Sequence, residues 1–225
     1  MDESIFHWFN AWNATSGTWS SILTFMNMNQ IKIAPTMLCL WSLWFLADND
    51  RERTHTREGL VAVILTSAVV IGVSRALANY LPFSLRPLHT PGLSFVGDDG
   101  PETALDGWSS MPSDHASFVL SLALGIFFLH RRFGLFLILW CIFVVSIPRI
   151  VTALHWPSDI VVGWLVGALV TIVAFKPIRW FVRKTQIVPF FERREAIGYP
   201  LLFFATYEIT MMFQMTRFIA TAIIE

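Results

Sequence analysis

The sequence predicts an all-α protein: a bundle of six membrane-spanning helices preceded by a short helix lying in the membrane interface, forming one domain over residues 1–225. Three observations predict it. Of the 225 residues 55% are hydrophobic and only 14% charged, well below the ~25% charged residues of water-soluble domains. The apolar residues gather in runs of roughly 18 or more, long enough to cross a hydrocarbon layer about 30 Å thick. The basic residues, finally, collect in alternate loops, as they do in proteins threaded back and forth through a bilayer.

Taken in order, the first element is amphipathic. Ile5, Phe6, Trp8, Phe9 and Trp12 recur at near-helical spacing among polar residues, a pattern suited to lying flat at the lipid headgroups, where Trp is favoured. The six spans are expected at residues 31–47, 59–81, 113–129, 134–154, 158–175 and 197–224. Arg51, Arg53 and Arg57 follow the first span, Arg131 and Arg132 the third. Lys176, Arg179, Arg183, Lys184, Arg193 and Arg194 lie between the fifth and sixth. All fall on one side, which the positive-inside rule makes cytoplasmic. The other side carries Asp2, Glu3 and the acidic loop Asp98, Asp99, Glu102 and Asp106. Both termini are therefore expected on the outer side of the cytoplasmic (inner) membrane. An acidic start, Met1-Asp2-Glu3, argues against a cleaved signal peptide. Cys39 and Cys141 sit in apolar runs on different spans and read as buried free thiols. The net charge is zero, so nothing in the total favours a nucleic-acid partner.

The longest loop, residues 82–112, is external and rich in Pro, Gly and Ser; a loop of that length in a compact protein is usually functional or disordered. Around it stand three polar clusters, far apart in sequence, which the topology brings to the same outer surface. Arg86-Pro87 follows the second span. Pro112-Ser113-Asp114-His115 opens the third. Arg149, His155 and Asp159 bridge the fourth and fifth. The residue types suit an anion. Arginine offers a planar fork of donors matched to phosphate oxygens and stays charged at biological pH. The third and fifth spans both begin at this side, so their free N–H groups and positive dipole ends point to it. Imidazole acts as nucleophile, base or acid near neutral pH, and Asp159 is within reach of the His155 ring to fix its tautomer.

These residues resemble the three signature motifs of the type-2 phosphatidic acid phosphatase family, whose fold is shared with vanadium haloperoxidases. The family pattern is Lys, six residues, Arg-Pro; then Pro-Ser-x-His; then Ser-Arg, five residues, His, three residues, Asp. The resemblance covers residues 75–159 at the level of motifs, and three ordered motifs together are far more specific than any one. It implies a membrane lipid phosphatase that needs neither cofactor nor metal ion. In it His155 would be the nucleophile forming a phosphohistidine, Asp159 its orienting partner and His115 the general acid. Arg86, Arg149, Ser113 and Asp114, with neighbouring backbone amides, would hold the phosphoryl group. Preorganised donors around its oxygens would supply much of the rate.

Three positions depart from the pattern. The motif lysine is replaced by Asn79; Arg75, one turn earlier on the same helix face, is a candidate substitute. The serine before Arg149 is Pro148, which is expected to kink the end of the fourth span. The variable residue of Pro-Ser-x-His is Asp114, which resembles the undecaprenyl pyrophosphate phosphatase branch. His89 is a further candidate for lining the site. Glu208, a carboxylate inside the sixth span, invites a functional reading, with Arg75 or Gln214 as a partner. The expected partners are the bilayer and a lipid phosphate, undecaprenyl pyrophosphate first, then phosphatidic acid, phosphatidylglycerol phosphate or lipid A phosphate. The motifs leave open a phosphotransferase that passes the phosphoryl group to a lipid acceptor. A transporter is a more distant alternative, because transporter sites lie near the midplane on broken helices. The oligomeric state is not legible.

Overall fold

The computed structural model describes residues 2–14, 17–46, 49–94 and 107–213, and among these the secondary structure is entirely helical. The acidic loop and Gln214 lie outside the described residues. The helices are α1 (Asp2–Asn10), α2 (Gly17–Met26), α3 (Asn29–Leu46), α4 (Asp50–Tyr80), α5 (Asp114–Leu129), α6 (Arg131–Trp140), α7 (Ile147–Val151), α8 (Pro157–Lys184), α9 (Ile187–Glu192) and α10 (Glu195–Thr210). Among the described residues, three continuous helical stretches are long and apolar enough to cross a membrane: α4, the run Arg131–Val151 and α8. Helix α5 is apolar but shorter; its 16 residues span about 24 Å at 1.5 Å per residue.

Helix α5 is the axis of the bundle. Phe118, Val119, Leu122, Ala123 and Ile126 are all fully buried, and α4, α6 and α8 pack around them. Hydroxyl pairs stitch the contacts: Ser74 of α4 meets Ser117 at 2.8 Å, and Thr171 of α8 donates to Ser121 at 2.7 Å. Such pairs satisfy polar groups that lipid cannot. Glycine sets the closest approach. A Cβ at Gly163 would lie 2.7 Å from the carbonyl oxygen of Ser113, and Gly167 meets the Ser117 carbonyl one turn on. The first turns of α5 and α8 therefore touch backbone to backbone, with Ser113 N–H donating to the Asp159 carbonyl at 3.1 Å.

Several boundaries differ from expectation. Helix α4 begins at Asp50, because Asn49 caps it by accepting the Glu52 N–H at 2.9 Å, so the basic loop becomes helix. Helix α8 runs on to Lys184. The fourth span is helical throughout but carries a π-turn, Cys141–Ser146, just before Pro148; proline lacks the N–H that would continue the regular ladder. Helix α10 ends at Thr210, where Met212 and Phe213 take left-handed φ values of 54° and 58°; the rest of the expected sixth span, from residue 214 on, lies outside the described residues. The amino-terminal segment is not simply a surface helix. Phe6 of α1 is fully buried and packs edge-on against Trp156, Asn10 donates to the Val151 carbonyl at 2.8 Å, and Asp2 accepts from the Ser158 amide and hydroxyl at 3.0 and 2.5 Å. Only its outer face, with Trp8 60% exposed, is free of the bundle.

Chain direction separates the charges. Helices α4 and α6 start, and α5 and α8 end, at one pole, where His55, Glu58, Arg131, Lys176, Arg179 and Arg183 line a common cleft. The opposite pole holds the end of α4, the starts of α5 and α8 and the end of α7.

Candidate active site

At that opposite pole the distant polar clusters meet. Arg149 stands on the last turn before a tight reversal, residues 152–156, in which the Leu154 and His155 amides both donate to the Arg149 carbonyl. Ala153 takes φ 58° to make the turn, an uncommon conformation for a residue with a Cβ, and its carbonyl accepts Leu88 N–H. That bond draws in the Arg86 segment. Pro157 at the first helical position and Asp159, which accepts the Trp156 N–H at 2.8 Å, then start α8.

His155 is the hub, buried like Arg86, Arg149 and Asp159. Its Nε2 accepts from Arg86 Nη1 at 3.2 Å and from Arg149 Nη2 at 3.1 Å. Its Nδ1 lies 3.4 Å from the Asp159 carboxylate and 3.4 Å from the Ser110 hydroxyl, and Ser110 donates in turn to Asp159. Arginine cannot accept, so Nε2 carries the lone pair and Nδ1 the proton. Burial, reinforced by the Arg149 and Arg86 charges, holds the His155 imidazole well below its usual range; it is neutral at physiological pH. Burial also pulls the Arg86 guanidinium below its ordinary value, against the pull of Asp159. Beside this hub the Ser113 hydroxyl and the Nε atoms of Arg86 and Arg149 are buried with no hydrogen-bond partner among the described residues. Unmet donors around one point, next to two helix N-termini, are an anion's complement.

His115 joins from the first turn of α5. His155, Arg149, Lys32 and Arg75 all act on it electrostatically, and its Nε2 pairs with Asn29 Oδ1 at 2.9 Å. Ser113 does not cap α5 with its side chain, so its hydroxyl remains available.

The other expected residues stand around this cluster. Asp114 is ion-paired with Arg75, whose guanidinium also lies over the Trp108 ring at 4.5 Å. A carboxylate is no ligand for phosphate; Asp114 holds Arg75 instead, and Arg75 stands at the rim. Asn79 is exposed on the last turn of α4. His89 ends the short turn Pro87–His89, its Nε2 buried without a partner among the described residues. Glu208 is buried on α10. Sequence reasoning missed Ser110 and Asn29, neither of which carried a signal.

Residues 83–183, from the Arg86 loop to the basic end of α8, the stretch that carries Arg86, His115, Arg149 and His155, match the PAP2 superfamily. The individual relatives are more distant. Over 169 residues the chain is 24% identical to the Escherichia coli K12 protein named "Putative undecaprenyl-diphosphatase YbjG", a match covering 75% of this chain and 78% of that one. Over 135 residues it is 26% identical to "Bacitracin transport permease protein BcrC" of Bacillus licheniformis, covering 59% and 60%. No solved structure matches the chain significantly.

Proposed function

We propose that this protein is an integral membrane phosphohydrolase that cleaves a lipid diphosphate, with undecaprenyl diphosphate as the first substrate to test, through a phosphohistidine on His155 and without a metal ion. The observation that carries the reading is the tautomer of His155. Its Nε2 lone pair is aimed between two guanidinium groups, while Nδ1 is held from behind by Asp159 and Ser110.

In the reaction the phosphoryl oxygens take over the donors of Arg86 and Arg149, joined by the Ser113 hydroxyl. Nε2 attacks the terminal phosphorus in line, and the bond from that phosphorus to the bridging oxygen breaks as this oxygen, on the departing lipid monophosphate, takes a proton from His115. Water then attacks the phosphohistidine, His115 receives the water's proton, and inorganic phosphate leaves with Nε2 regenerated. Each guanidinium acts where charge spreads over the equatorial oxygens.

A six-span arrangement with this site facing outward and the basic pole in the cytoplasm is part of the proposal; the separation of charge between the two poles supports it. An apolar groove beside Arg75 and Asp114, lined by Ala68, Ile71, Met212 and Phe213, is suited to the start of a lipid tail. The name of the relative YbjG agrees with the substrate; the polar cluster at helix ends favours an enzyme over a transporter.

The test is phosphate release from a panel of lipid mono- and diphosphates by the purified chain in detergent, with EDTA present, beside His155→Ala. Release that survives EDTA and is lost in the variant supports the reading. Abolition by EDTA, or full activity in His155→Ala, refutes it, and label appearing on an acceptor lipid identifies a transferase.

A further inference from the structure

The pole opposite the reaction centre holds a cleft that phosphoryl transfer does not use. It measures about 850 Å³, within the ~300–1,000 Å³ of pockets that take small ligands. Four cations line it, Arg131 at the start of α6 and Lys176, Arg179 and Arg183 on α8, against a single carboxylate among the described residues, Glu58 of α4. Glu58 is buried and acts electrostatically on Arg179. No ion pair holds Arg131, Lys176 or Arg183 among the described residues, whereas at the same pole Arg53 is paired with Asp50 and Arg57 with Glu192. The walls are tied together: Arg179 donates to the His55 carbonyl at 2.9 Å, joining α8 to α4. Phe128 of α5 packs on Phe175 of α8 with ring centroids 5.4 Å apart. Basic residues that only orient a chain in the membrane need to lie on one side of it; they need not converge on one cleft.

A second observation lies along α8. Leu165, Leu169, Ile172, Lys176, Arg179 and Arg183 recur at intervals of three and four, so they share one face of the helix. The aliphatic part of that face is bare, with Leu165, Leu169 and Ile172 each more than half exposed. The face turns from aliphatic to cationic between Ile172 and Lys176. Leu165 and Lys176 stand about 16 Å apart along the axis at 1.5 Å per residue, one leaflet's share of a ~30 Å hydrocarbon core. Trp180 and Phe128, both exposed beside the cations, mark the head-group level, where aromatic rings are favoured. A soluble anion would meet the cations alone. An amphiphile with a negative head and an acyl tail meets both parts of the face.

We propose that this cleft is a binding site for an anionic phospholipid, its phosphodiester held by Arg131, Lys176 and Arg183 and one acyl chain lying along Leu165, Leu169 and Ile172. Guanidinium forks and an ammonium suit phosphodiester oxygens, and the lipid's charge offsets the excess that Glu58 leaves. The site is at the other end of the bundle from His155, so it does not depend on the phosphoryl-transfer reading.

The experiment titrates the delipidated full chain in detergent with phosphatidylglycerol, read by native mass spectrometry. Phosphatidylcholine with the same acyl chains is the comparison, and glycerol phosphate is the soluble competitor. The variants are Lys176→Gln with Arg183→Gln, both at exposed positions, and Arg131→Gln alone. Arg193→Gln with Arg194→Gln is the control, removing equal charge from the same pole outside the cleft. The wild type is expected to bind phosphatidylglycerol at least ~10-fold more tightly than phosphatidylcholine. Two basic residues lost from a head-group site correspond to about 30-fold weaker binding and one to about 5-fold; the control should lose less than ~3-fold. A Tm for each variant in the same detergent checks that it is folded, and if the Lys176 and Arg183 pair is not, Arg131→Gln decides. Equal affinity for the two lipids, wild-type affinity in the cleft variants, or an equal loss in the control overturns the proposal. Displacement of the lipid by an equal concentration of glycerol phosphate overturns it too, since the site would then take a soluble phosphate.

Discussion

The contact between α5 and α8 makes Gly163→Ala the most informative single substitution. Gly163 lies one turn beyond Asp159 on the same helix, against the backbone of Ser113. The added Cβ would stand 2.7 Å from the Ser113 carbonyl oxygen and 3.1 Å from Ala116 Cβ, where ordinary contact begins at 3.4 Å. The obstacle is main chain at a helix start, so relief requires α8 to retreat by about 0.7 Å. Overpacking of this kind costs about 1–3 kcal/mol, and alanine's better helix propensity returns up to ~1. The net loss is ~1 kcal/mol, or a Tm lower by about 2–4 °C. Activity should suffer more than stability. The retreat carries Asp159 and His155 away from Ser113 and His115, and misplacements near 1 Å cost on the order of 100-fold in rate; a 10- to 50-fold fall in kcat is expected. Gly167→Ala, which meets the Ser117 carbonyl one turn farther from the chemistry, is the comparison: similar destabilisation, a smaller loss of kcat. The assay is phosphate release with a Tm on the same preparation. Wild-type kcat in Gly163→Ala, or a larger rate loss in Gly167→Ala, would refute the reasoning.

Further outcomes follow from the same geometry. Ser110→Ala removes the hydroxyl between His155 and Asp159 and should lower kcat about 10-fold with KM little changed; a KM effect alone would place Ser110 on the substrate instead. Arg75→Ala leaves the Asp114 carboxylate buried without its cation and should destabilise by about 3 kcal/mol, while Arg75→Ala with Asp114→Ala should regain most of that stability and some activity. A double variant no better than Arg75→Ala would show Arg75 to be a direct phosphate ligand. His155 also sets a pH dependence. Its pKa is lowered in the folded state from 6.5, so above pH ~6.5 both states are neutral there and it contributes no slope. As pH falls below that value the unfolded chain takes up the proton first, and folded stability declines. Melting scans between pH 5 and 8 should show a shallower acid decline in His155→Gln than in the wild type; parallel curves would contradict the burial of a neutral imidazole.

How much of this was legible depended on spacing. Arg86, His115, Arg149, His155 and Asp159 stand at helix ends fixed by hydropathy and turn residues, so a linear reading places them at one surface, and the structure gathers them. The side chains that complete the constellation come from elsewhere. Ser110 reaches His155 because its segment pairs with Ser84, and Asn29 arrives on α3, whose approach is settled by packing rather than by motif. The same holds for Asp114: proximity in sequence to His115 does not reveal that its carboxylate pairs with Arg75 across the α4–α5 contact. The end of α10 was illegible because apolar residues continue past Thr210, while the left-handed backbone at Met212 and Phe213 interrupts the helix.

The bonds from Asp2 to Ser158 and from Asn10 to the Val151 carbonyl have a consequence for biogenesis. Asp2 and Asn10 must wait for partners made some 150 residues later before the reversal bearing His155 is braced. Closure of so distant a pair is slow relative to local helix formation. Until α8 is made, the reversal bearing His155 lacks both this brace and Asp159, so the cluster is completed in one late step, when α8 packs.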